Sequence, residues 1–233
     1  MKRQAVRFYL IPLFVSCFLL IAGSASCTQE QQDEYNLYLY RPLKVGDSWT
    51  YRTNGLEGTQ MSTVKVTGED TLNSRKVKVF EQASGWVDFY EETEAGLERP
   101  KDINKKDNAY GIYEPAAIQY PKKIKMGETY SRVSLRKDFK LQDNALIEQN
   151  KEKLELTLAG KENVKIAYGD FKDCLKLLAD SQLINDKGEI LVRKLLLTWN
   201  AENVGVVKVI FMRFDSGTLT RFEEGELVSA VLK

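Results

Sequence analysis

Apolar and polar residues alternate with a period of two along most of this chain, and that periodicity excludes a helical fold before any motif is read. Ser62-Thr63-Val64-Lys65-Val66-Thr67 alternates, as do Arg75-Lys76-Val77-Lys78-Val79 and Lys153-Leu154-Glu155-Leu156-Thr157-Leu158. Trp86, Val87, Phe89 and Tyr90 crowd another run, and others cover 174–183, 189–198, 204–214, 219–222 and 226–232. Turn residues separate them: Asn54-Gly55, Ala159-Gly160, Asn185-Asp186-Lys187-Gly188, Asp215-Ser216-Gly217 and Glu224-Gly225. Short connections between alternating runs predict antiparallel hairpins, about ten to twelve strands in all. The expected fold is mainly β: one domain of antiparallel strands forming a curved sheet, an open barrel or a sandwich, with at most one or two short helices.

Two segments resist that reading. Asp143 to Lys153 carries Ala145, Leu146, Glu148 and Gln149, which favour a short helix. Glu98 to Tyr120 holds Pro100 and Pro115 among charges and ends against Pro121, which reads as an extended loop. That loop, 98–120, divides the domain 40–233 into sheet halves 40–97 and 121–233. A seven-residue echo supports two halves. Leu43-Lys44-Val45-Gly46-Asp47-Ser48-Trp49 matches Ile124-Lys125-Met126-Gly127-Glu128-Thr129-Tyr130 class by class. Each copy reads as a Gly turn feeding a strand that opens on an aromatic; convergent turn chemistry is the alternative.

The first residues give an address. Lys2, Arg3 and Arg7 precede an uncharged apolar run from Phe8 to Gly23, then Ser24-Ala25-Ser26-Cys27. This is the order of a secretory signal, 1–26, and a Cys at the cut resembles the bacterial lipoprotein box, which makes Cys27 the lipidation candidate. Ser24 stands where that box usually has Leu. Cleavage after Ser26 to a soluble secreted or periplasmic protein, and an uncleaved anchor, are the alternatives. Residues 27–39 then form a lipidated Cys (palmitate is one expected chain) and a polar tether. Thr28 after the Cys points to the outer membrane, on its periplasmic face.

Composition narrows the chemistry. Of 34 Lys+Arg, 31 remain after the leader, against 33 Asp+Glu. Both signs are interspersed, so no footprint for nucleic acid is expected. Three Cys include one in the leader, so a lipidated Cys27 leaves Cys174 without a disulfide partner. The chain has no His, which excludes Ser-His-Asp and Cys-His catalysis and the common zinc sites. No cofactor, metal site or catalytic residue is expected.

Three motifs carry a resemblance. Pro42-Leu43-Lys44-Val45-Gly46-Asp47-Ser48-Trp49-Thr50-Tyr51 resembles the opening signature of a group of uncharacterised bacterial envelope lipoproteins labelled TapB-like. Gly169-Asp170-Phe171-Lys172-Asp173-Cys174 and Trp199-Asn200-Ala201-Glu202-Asn203-Val204-Gly205-Val206-Val207-Lys208 are similar to that group's later motifs. The resemblance implies an envelope lipoprotein with no agreed activity and, by fold analogy, an incompletely closed barrel.

Trp49, Tyr51, Tyr110, Tyr113, Tyr120 and Tyr130 are the candidate lining of a pocket for an apolar ligand or lipid. Ordinary core usage is the competing reading of these aromatics. The expected function is a non-catalytic binding module, held to the membrane by its lipid. The alternatives are an envelope protein that docks an unidentified protein partner by a strand edge or loop 98–120, and a hydrolase using carboxylates. Candidates for the last are Glu91-Glu92-Thr93-Glu94, Asp170 with Asp173, and Glu223-Glu224.

Overall fold

The computed structural model describes residues 33–233; the leader 1–26, Cys27 and the tether up to Gln32 lie outside them. The first half of the described chain carries β1 Glu34–Asn36, β2 Ser48–Gly55, β3 Gly58–Leu72, β4 Arg75–Gln82, β5 Trp86–Glu92, β6 Gly96–Asn104 and β7 Ala109–Pro121. The second carries β8 Lys123–Lys125, β9 Thr129–Lys140, β10 Leu146–Ile166, β11 Gly169–Ile184, β12 Ile190–Ala201, β13 Gly205–Asp215 and β14 Thr218–Val231. A 3-10 turn, Leu37–Tyr40, follows β1.

Twelve of these strands close into one antiparallel barrel, in the order β10 to β14, then β2 to β7, then β9 back onto β10. The short strands β1 and β8 pair with each other outside the ring. The antiparallel all-β domain is the expected one; the sheet goes further than an open barrel, because β9 finds β7 on one side and β10 on the other. Every barrel strand has a neighbour on both sides, although β7 pairs with β9 only from Ala109 to Glu114.

The expected loop 98–120 and short helix 143–153 are corrected. The first is most of β6 and β7, joined by a hairpin. Its prolines sit where strands tolerate them. Pro100 lies at a register shift between Arg99 and Lys101, and Pro115 follows Glu114, the last β7 residue paired to β9. The second is the start of β10, held in register against β9 from Leu146 onward. Two expected turns are also strand interior. Ala159-Gly160 marks a bulge in β10, and Gly225 lies within β14. A Cβ on Gly225 would meet Val209 Cγ1 at 2.8 Å and Thr53 Cγ2 at 3.0 Å, so this glycine answers crowding inside the barrel.

The seven-residue echo is structurally real. In the first copy Lys44 N donates to Asp47 Oδ2 at 2.9 Å, and Asp47 N to Lys44 O at 2.9 Å. In the second Lys125 N donates to Glu128 Oε2 at 2.7 Å, and Glu128 N to Lys125 O at 3.0 Å. Gly46 N reaches Val66 O and Gly127 N reaches Leu158 O, both at 2.8 Å. Both glycines have positive φ, +96° and +76°. The strands that follow, β2 and β9, stand six places apart in the ring of twelve. The barrel is therefore two runs of six strands, Ser48–Pro121 and Thr129–Val231, each opened by the same turn. The division falls at Lys122–Glu128, not across a long loop.

Side-chain parity defines the lumen. On β10, Leu154, Leu156 and Leu158 are buried inward, while Lys153 and Glu155 pair with each other on the outer face at 2.9 Å. That alternation is the reverse of a membrane-spanning barrel, whose outer face is apolar. No helix among the described residues is long and apolar enough to cross a membrane.

Residues 33–46 plug one end of the lumen. Leu37 and Tyr40 pack on Leu156, Leu158, Leu175 and Leu177, while Leu43 joins the cluster of Trp49, Phe80, Tyr90 and Leu227. Leu37 N donates to Lys122 O at 3.0 Å, Asn203 N to Leu39 O at 2.7 Å, and Tyr38 Oη to Thr93 O at 2.7 Å. Arg41 enters the lumen with its guanidinium 5.1 Å from the Phe80 ring and 5.4 Å from Tyr120.

Candidate functional site

The end of the barrel opposite the plug is open. The hairpins β4–β5, β6–β7, β9–β10 and β11–β12 surround a cavity of about 310 Å³. Along each strand the lining is ordered by depth, because the next inward residue on the same face lies two positions along. Trp86, Ala109, Ile147, Leu183 and Val192 line the rim. Leu183 stands opposite Val192, and one step deeper Ser181 stands opposite Lys194, which stands opposite Arg213. On the facing wall Asp88, Asp102, Gly111 and Asp138 stand opposite one another in a row. The rim is mostly apolar and the floor is charged.

That floor is a buried ion network. The Arg99 guanidinium reaches Asp88 at 3.3 Å, Glu152 at 3.3 Å and Asp102 at 3.9 Å. Arg136 reaches Asp138 at 2.8 Å, Asp102 at 3.5 Å and Glu152 at 3.8 Å. Tyr113 lies between them: its hydroxyl donates to Asp102 and accepts from Arg136 Nη1 at 2.9 Å. The Arg99 guanidinium lies 4.6 Å over its ring. Burial opposes the charge on Arg99, but Tyr113, Glu152, Asp102 and Asp88 outweigh it and hold the guanidinium ionised. Burial raises the Asp88 carboxyl pKa, with Arg99 pulling it down and Asp102 adding to the rise. In a low-dielectric interior such a network is rigid, because every partner removed leaves an uncompensated charge.

Lys194 differs from these neighbours. Among the described residues it makes no ion pair within 4.0 Å, although it lines the cavity. Burial lowers its ammonium pKa; Glu152 opposes that, while Arg99, Arg136 and Arg213 add to it. Glu152 is already taken by Arg99 and by Ser181 Oγ at 3.2 Å. Arg213 is held by Asp215, at 2.9 Å.

The six aromatics expected to line a pocket are not gathered in one. Trp49 is buried in the core and donates from Nε1 to Val204 O at 2.6 Å; Tyr51 Oη donates to Val206 O at 3.0 Å. Tyr120 lies against Arg41, and Tyr130 is half-buried opposite Leu156. Tyr113 belongs to the ion network. Tyr110 alone of the six lines the cavity, stacked on Phe139 at 5.2 Å. Tyr110, Tyr113 and Tyr120 sit on strand β7 rather than in a loop.

The three motif segments meet one another. Trp49 packs on the hairpin that follows Trp199, where a Cβ on Gly205 would stand 3.5 Å from its indole nitrogen, and Cys174, Trp199, Ala201 and Val207 share its core cluster. They build the core of the barrel. Cys174 is fully buried, and burial with Asp173 pushes its thiol up to about 11, the setting of a packing residue. The surface carboxylates are dispersed into ion pairs with lysines and arginines: Glu91 with Arg75, Glu94 with Lys122, Asp170 with Lys165, Asp173 with Lys161, Glu223 with Arg221 and Glu224 with Lys208.

Sequence reasoning missed the ion network and Lys194, and a signal for them existed. Glu152 is in phase with Leu154, Leu156 and Leu158, and Lys194 with Leu196. A charge in phase with core leucines is an inward charge.

No protein family matches the chain, and no curated protein matches it in sequence. Three solved structures resemble it. One is a candidate lipoprotein of Parabacteroides distasonis, 13% identical, covering 83% of this chain and 98% of its own, with a TM-score of 0.42. A second is a candidate exported protein with a YmcC-like fold from Bacteroides fragilis, 12% identical over 82% and 97% of the two chains, with a TM-score of 0.37. The third is the hypothetical lipoprotein YmcC of Escherichia coli, 14% identical over 79% and 88%, with a TM-score of 0.40.

Proposed function

We propose that this protein is a lipid-tethered module of the bacterial envelope, akin to the TapB-like group, that binds a small amphiphile in the open end of its barrel and does no chemistry on it. The carrying observation is the cavity of about 310 Å³, which has an apolar rim above a charged floor. Its size is at the lower end of small-molecule sites, about 300 to 1,000 Å³. The occupant keeps the apolar body expected from the sequence and gains a polar head. The acids of the floor are locked by Arg99 and Arg136, which suits recognition better than proton transfer. The leader and Cys27 support a lipid anchor, and Thr28 favours the periplasmic face of the outer membrane.

Mass spectrometry of the full-length protein tests both parts. Denatured spectra should show a chain beginning at Cys27 with acyl mass added. Native spectra should show a bound small molecule that Val192→Trp, which fills the rim, removes. A chain without acyl mass refutes the tether. Bound mass that persists in Val192→Trp, or none in the wild type, refutes the site.

A further inference from the structure

We propose that Lys194 is the counter-ion of a ligand monocarboxylate, so that the cavity takes an amphiphile head first: carboxylate on the floor, apolar body against the rim. This rests on the binding reading above and assigns its ligand class. The observation is a half-buried ammonium without a partner in a cavity whose other lining cations, Arg136 and Arg213, are each paired. Lys194 rises from the β11–β13 wall between Ser181 and Arg213. The charged groups that act on it are Glu152, Arg99, Arg136, Arg213 and Asp215, and Asp102, Asp107, Asp138 and Glu148 line the same cavity. Glu152 is engaged by Arg99 and Ser181, Asp215 by Arg213 and Thr220, and Asp102 and Asp138 by Arg136. Lys194 is therefore left without a carboxylate of its own, and Arg99, Arg136 and Arg213 add to its charge burden. An unpaired buried charge is costly, and an incoming carboxylate removes the cost by supplying a charge-assisted hydrogen bond.

The body of the ligand follows from depth. Val192 and Leu183 lie two residues nearer the mouth than Lys194 and Ser181 on the same face, and Trp86 and Ile147 line the same opening. The rim also carries Asp107 and Glu148. A second negative charge at the far end of the ligand would meet them, so the site favours a monoanion over a dianion.

Titration of the full-length protein with hexanoate, hexanamide and adipate reads this directly. Hexanoate should bind about tenfold more tightly than neutral hexanamide, and more tightly than the dianion adipate. Lys194→Met should lower hexanoate affinity about tenfold and leave hexanamide unchanged, while Lys194→Arg keeps most of the preference. Hexanoate affinity should also fall as pH rises, earlier than for an ordinary lysine, because burial lowers the Lys194 pKa. Circular dichroism checks that each variant folds; if Lys194→Met does not, Lys194→Gln takes its place. Equal binding of hexanoate and hexanamide, or hexanoate binding untouched by loss of the charge, overturns the counter-ion and leaves the cavity reading standing. No binding of any of the three to the wild type overturns both.

Discussion

Lys194 carries a stability cost that the arginines of the ion network avoid. Arg99 and Arg136 are each surrounded by carboxylates, so removing either leaves buried acids uncompensated at a cost of about 3–5 kcal/mol. Lys194 has no such partner, and its replacement by Met should stabilise the empty protein by about 1–2 kcal/mol, visible as a higher melting temperature. The pH dependence fixes the cause. The Lys194 pKa is lowered by folding, so between its folded and unfolded values the unfolded chain binds more protons. Its contribution to stability therefore rises with pH through that window, and the penalty is full below it. The Asp88 pKa is raised, so its contribution is fully present below the unfolded value and is lost as pH rises through the folded one. Lys194→Met should remove the alkaline rise and leave the acid-side behaviour of Asp88 in place. A melting temperature unchanged at every pH would show that the ammonium is not buried at a cost.

The two matched turns explain what was legible in the sequence at the scale of an element. A glycine followed by an acid, between an apolar residue and an aromatic, is a local code, and both copies fold alike. They are not equal in weight. Asp47 is buried and also accepts from Lys233 N at 2.9 Å, tying the chain terminus to the first turn. Glu128 is exposed. Asp47→Ala should cost about 1–3 kcal/mol in denaturant unfolding, and Glu128→Ala clearly less. Equal losses would mean that the turns act only through their glycines. Elements whose side chains face the ion network were illegible for the converse reason. Glu148, Asn150 and Glu152 put polar groups on the lumen side of β10, so its start lacks apolar alternation and its composition suggests a helix. Pro100 and Pro115 hid β6 and β7, because their positions at a bulge and at the end of a pairing are set by the register with β7 and with β9, which the local sequence does not carry.

At the scale of the molecule, the two ends of the barrel have different tasks. The N-terminal segment closes one end with Leu37, Tyr40 and Leu43, and the proposed anchor at Cys27 precedes it by only a few residues. The other end opens onto the ion network and Lys194. The site was hidden from sequence because its parts come from strands spread over half of the ring: Asp102 on β6, Arg136 on β9, Glu152 on β10 and Lys194 on β12. Only closure brings them together. The central claim is that the open end, not the aromatic core, is where a ligand sits. Chemical-shift mapping with hexanoate tests it most directly. The account predicts shifts at the Trp86 indole and at the Leu183 and Val192 methyls, with none at Leu37, Leu43 or Trp49. Shifts confined to the plug and the Trp49 core, with the rim silent, would contradict it.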